Sequence, residues 1–147
     1  MSEIIIYCEI IHTNHKKIIA ESTKGNKFQL EVKSLYNEIF SKISKDQISI
    51  DDKNYITYQK NKEFAFVVVS KKTKNKDEAF IFIKELIKNI EIKIKPIKQL
   101  IEDYTVIFEN SLEPKIKKII DETISIFNYI EEYRYSILII QKSIILS

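Results

Sequence analysis

The run Glu63–Ser70, EFAFVVVS, most constrains how this 147-residue chain can fold. Phe64, Phe66 and Val68 fall on one face of an extended strand, and Ala65, Val67 and Val69 fall on the other. A strand apolar on both parities must be covered on both sides, so it belongs mid-sheet with helices above and below. Glu3–Ile11 has the same character, with Ile4, Ile6, Cys8 and Ile10 set against Ile5, Tyr7 and Ile11. These two strands are expected side by side at the sheet centre.

The remaining elements follow from periodicity and turn chemistry. After the polar turn His12-Thr13-Asn14-His15, Lys17–Glu21 returns as a short strand. The only glycine, in Gly25-Asn26, marks a loop. Phe28–Ser44 reads as one helix, with Val32, Leu35, Tyr36, Ile39 and Ile43 on a face and Phe40 at its edge. Gln47–Asp51 is a short strand whose Ile48 and Ile50 point the same way, and Tyr55–Lys60 is the next strand. A polar break at Asn61-Lys62 leads into the central run. Phe80, Phe82, Ile83, Leu86, Ile87 and Ile90 give a second amphipathic helix. Pro96 ends that segment, and Leu100, Ile101, Tyr104, Ile107 and Phe108 stripe a third. Pro114 stands at the first turn of a long last helix, Lys115–Ser147. The order β-β-α-β-β-β-α-α plus a helix predicts an α/β (α+β) fold. It is an α-β-α sandwich on a five-stranded, mainly antiparallel sheet, with one helix on one face and two on the other.

A net charge of +3 with both signs interspersed does not argue for nucleic acid. One cysteine excludes an internal disulfide framework and a Cys-based zinc finger. The apolar run in MSEIIIYCEI is too short and too acidic for a signal peptide. No stretch approaches the roughly 20 apolar residues of a membrane span; Ile137–Leu146 is interrupted by Gln141, Lys142 and Ser143. His12, His15 and Cys8 lack the spacing of a metal site. Asp51 and Asp52 sit where a turn between strands uses carboxylates for its own backbone. No phosphate loop or nucleophile–base spacing occurs, so no catalytic residue, cofactor or metal is assigned.

The ordered pieces resemble the longin domain, the N-terminal domain of synaptobrevin-like (VAMP-type) R-SNAREs. They are Gly25-Asn26 with Leu30-Glu31-Val32, then Ile48 and Ile50 before Asn54-Tyr55-Ile56, then Ala79–Leu86, then Tyr104–Phe108 through Leu112. The chain departs from that pattern at Ser70-Lys71 and Glu78, positions that bear on partner choice more than on fold. The resemblance implies a longin/profilin-like domain over residues 1–112, with 113–147 a helix that is a partial or degenerate SNARE coiled-coil segment. It also implies vesicle-mediated transport and membrane fusion at the cytoplasmic face of endomembranes, with SNARE proteins and trafficking adaptors as partners. A partner groove would then be formed by Ile39, Phe40, Ile43, Ile48 and Ile50, beside a sheet edge with free backbone groups. The groove would take an adaptor or the C-terminal segment folded back.

Two heptad frames compete in the last helix. An R-SNARE places an Arg in its polar layer, and the single Arg is Arg134. That frame also puts Lys117, Glu131 and Gln141 in layers. The alternative seam of Ile116, Ile119, Thr123, Ile126, Ile130, Tyr133, Ile137 and Ile140 is apolar except at Thr123, and it sets Arg134 beside the seam. The second frame makes the helix either a SNARE-derived segment without its Arg layer or an ordinary docking or oligomerising helix, with Arg134 as a polar layer the less favoured alternative. A complete SNARE motif and a membrane anchor would need residues past Ser147. Two other functions stay open: a small subunit of a coat or tethering complex with the same fold, and a ligand-binding or enzymatic domain.

Overall fold

The structure, a computed structural model, describes residues 3–41, 44–61, 63–102 and 112–146. Five strands, β1 (Ile5–His12), β2 (Lys17–Glu21), β3 (Lys45–Ser49), β4 (Asn54–Asn61) and β5 (Phe64–Lys71), form one sheet in the order β2-β1-β5-β4-β3. Every neighbouring pair is antiparallel. The two doubly apolar strands lie side by side at the centre, in a register that sets Cys8 opposite Val68 and Ile10 opposite Phe66. All of β5 except Lys71 is buried, as its two-faced apolar character requires.

Each face carries its own core. On one side, Tyr7, Ile11, Ile56, Tyr58, Ala65, Val67 and Val69 pack with Val32 and Ile39. Val32 comes from α1 (Gln29–Ser34) and Ile39 from α2 (Tyr36–Ile39), two short helices that follow a 3-10 turn at Asn26–Phe28. The single helix expected over Phe28–Ser44 is thus broken. At Leu35 (φ −99°, ψ 3°) the backbone tightens, with the Leu35 N–H donating to the Val32 carbonyl at 3.0 Å. The break keeps Val32 and Ile39 in one core while Tyr36 bonds to Glu9 beneath it. Tertiary contacts override a periodicity that would have run on smoothly.

On the other side, Ile5, Cys8, Ile10, Phe64, Phe66 and Val68 meet three helices: α3 (Glu78–Lys93), α4 (Ile97–Glu102) and α5 (Leu112–Leu146). Pro96 opens α4 by accepting from Gln99 and Leu100. Tyr104, Ile107 and Phe108 of the expected third helix lie outside the described residues. Leu112, Ile116, Ile119, Ile120 and Phe127 of α5 belong to the same core as α3, and Phe127 meets Phe82 edge-on at 5.6 Å. The first half of α5 thus shares one core with α3 and the sheet. Burial of these five side chains stabilises the sandwich itself, at roughly 1.5–3 kcal/mol for each large one.

Gly25 explains its own presence. Its φ is +83°, and a Cβ there would lie 2.5 Å from the Ile6 carbonyl oxygen and 2.8 Å from the Tyr7 Cβ. Only glycine combines the left-handed backbone with that approach of the loop to β1.

Candidate partner-binding surfaces

The groove residues are brought together, but as the margin of a core. Ile39 is fully buried, and Phe40, Ile48 and Ile50 are half-buried against the α1–α2 side of the sheet. Ile43 lies outside the described residues. Among the described residues β3 is a sheet edge, with β4 on one side and no strand on the other, and the strip borders that edge.

The tail seam divides. Ile116, Ile119 and Thr123 are buried, whereas Ile126 and Ile130 are 56% and 40% exposed. Ile120 and Phe127, which the seam omits, are buried instead. Along its first half α5 therefore turns the stripe 112-116-119-120-123-127 to the domain. This spacing was legible, but two apolar stripes share the helix and only the sheet decides which is used. Tyr133, Ile137 and Ile140 belong to α5, as does Arg134, but their side chains lie outside what is described. Ile81, Ile126 and Ile130 line a cleft between α3 and α5, with Asn89 and Thr123 at its base. The Asn89 amide donates to Thr123 Oγ1 at 3.1 Å, and that hydroxyl donates to the Ile119 carbonyl.

Polar clamps that periodicity does not reveal hold α5 in place. Asp121 accepts from both the N–H and the hydroxyl of Thr23, at 2.9 and 2.6 Å. Lys93 and Glu122 pair at 3.1 Å, and Asn128 reaches the β1 backbone.

A second cluster lies under α1 and α2. Glu9 is wholly buried in β1, opposite Glu21 of β2. Tyr36 donates to Glu9 Oε2 at 2.9 Å, while the Tyr7 hydroxyl (2.7 Å) and the Gln29 amide donate to Glu21 Oε2. Glu9 Oε1 has no hydrogen-bond partner among the described residues. Burial, opposed by the Tyr36 hydrogen bond and aided by the Glu21 charge, pushes the Glu9 carboxyl up to about 7. Burial also raises the two tyrosines. The signal in the sequence was a lone Glu in an otherwise apolar central strand.

The residues weighed for chemistry separate. Cys8 is buried in the α3–α5 side core, and burial holds its thiol well above the usual range. His12 pairs with Glu63 at 3.4 Å and accepts from the His15 N–H; burial lowers its pKa. Asp51 accepts from the Lys53 and Asn54 N–H groups and the Asn54 amide, closing its turn. Those bonds, the Lys53 one foremost, lower its pKa. Asp52 is exposed beside it. Among the described residues no group of three or more His, Cys, Asp or Glu is placed to hold a metal ion, and no helix is long and apolar enough to cross a membrane.

The chain is thus a mixed α/β sandwich with a five-stranded antiparallel sheet, whose distinctive surfaces are an edge-strand groove and a long helix. No protein-family model matches it, and no curated protein does either.

Proposed function

We propose that this chain is a protein-interaction module of vesicle-mediated transport: a longin-type R-SNARE or a shortened relative. The order of elements supports the longin-type reading. The single observation that carries the interaction role is α5, a helix of 35 residues whose apolar seam is buried up to Thr123 and emerges at Ile126 and Ile130. An apolar stripe leaving a domain on a continuous helix is suited to partner helices. Titration with soluble Q-SNARE helices tests it. The expected result is a gain in helicity on mixing that Ile130→Asn abolishes. No gain, with full chain and intact fold, rejects the R-SNARE form.

A second reading is favoured by one observation. Leu112, Ile116, Ile119, Ile120 and Phe127 are committed to the domain core, so half of the helix that a four-helix bundle would recruit is already in use. A small subunit of a coat or tethering complex needs no free heptad helix. Stoichiometric co-assembly with larger subunits, without Q-SNARE binding, is its expected signature.

A further inference from the structure

At the far edge of the sheet from β3, β2 has β1 on one side and no described strand on the other. α1 leaves part of this end uncovered, and a cleft opens between them. Ile18 of β2 is 40% exposed there and Leu30 of α1 is 78% exposed. Lys16, Lys17 and Lys33 surround the two apolar side chains, all three are exposed, and no Asp or Glu lines the cleft. Lys16 adopts a positive φ of 51° in the turn that opens β2, a conformation uncommon outside glycine. The one acidic residue of β2, Glu21, is turned to Tyr7 and Gln29 and does not line the cleft, whose charged lining residues are lysines.

We infer that the β2–α1 cleft binds an extended peptide segment rich in acidic residues around one or two apolar side chains. The peptide pairs its backbone with the outer edge of β2, places an apolar side chain between Ile18 and Leu30, and sets carboxylates against Lys16, Lys17 and Lys33. Main-chain bonds supply affinity. The lysines choose the partner's sign, and because they are exposed their contribution falls with salt. The site is separate from both the β3 groove and the tail seam, and it stands independently of the trafficking reading.

The test uses the full 15N-labelled chain and a ten-residue peptide alternating Glu with Leu and Val, beside a control with Lys for each Glu. Amide shifts confined to β2 and α1 are expected with the acidic peptide alone. Affinity should fall at least tenfold in the double variant Lys16→Glu, Lys17→Glu and in Leu30→Ser, both at exposed positions where the fold is retained. The proposal is overturned if both peptides bind alike, or if shifts appear elsewhere or not at all. It is equally overturned if phosphatidylserine vesicles capture the chain through these lysines while the peptide does not bind, or if sedimentation shows the edge occupied by a second copy.

Discussion

The side-chain amide of Asn128 pairs with the backbone of Ile5 in both directions: the Ile5 N–H donates to Oδ1 at 2.9 Å and Nδ2 donates to the Ile5 carbonyl at 3.0 Å. A helix residue thereby supplies what a neighbouring strand would supply, at the end of β1 where its pairing with β5 shifts register. It fastens α5 to the sheet one residue past Phe127, the last buried apolar side chain among the described residues of α5.

Asn128→Ala should leave two backbone groups without that partner and cost about 1–3 kcal/mol. Urea denaturation measures the loss, and amide exchange should quicken first around residues 112–130. A change confined to global unfolding would show that Asn128 does not act as a local fastener.

Phe127→Ala and Ile126→Ala test the register of α5 on adjacent residues. The first empties a buried site beside Phe82 and should cost roughly 3–5 kcal/mol. The second removes an exposed side chain and should stay within about 0.5 kcal/mol. Equal costs would return the helix to the seam register. Phe66→Ala, at the sheet centre, should cost roughly 3–5 kcal/mol as well.

Gly25→Ala should destabilise by more than about 1 kcal/mol, because the left-handed backbone and the approach to Ile6 act together. Wild-type stability in this variant would mean that the loop can lift from β1 freely.

Glu9 should make stability fall with rising pH. Its folded carboxyl titrates near 7 against an ordinary value of 4.5, so the native state holds a proton that the unfolded chain has released. The stabilisation is complete below about pH 4.5 and is lost as pH rises through about 7, amounting to about 3 kcal/mol. Glu21, Tyr7 and Tyr36 face the same cluster. Glu9→Gln should flatten this slope in denaturation curves from pH 4.5 to 8 and be the more stable form at pH 8. An unchanged slope would assign the dependence elsewhere.

Ile48→Ser with Ile50→Ser asks whether the tail folds back onto the β3 groove. Residues 112–127 of α5 pack on the opposite face of the sheet, and the helix runs unbroken from there. Their amide protection should therefore be unchanged wherever the sheet survives. Faster exchange in 112–127 with a protected sheet would couple the two surfaces.

The sequence determined the sheet. A strand apolar on both parities has one place to go, so β1 and β5 had to be central, and the hairpin breaks at Asn14 and Asn61 ordered their neighbours. It determined α3 equally well, because one wide apolar arc leaves one way to pack. It did not determine α5, where Ile116–Ile126–Ile130 and Ile120–Phe127 offer competing stripes of similar hydrophobicity. Local periodicity cannot rank such stripes. The choice falls to contacts distant in sequence: Phe82 against Phe127, Asn89 on Thr123, Thr23 on Asp121 and Ile5 on Asn128. The break at Leu35 and the carboxyl pair Glu9–Glu21 were decided in the same way. Each depends on which side chains the sheet brings within hydrogen-bonding distance, and this is a property of the assembled layers rather than of any segment.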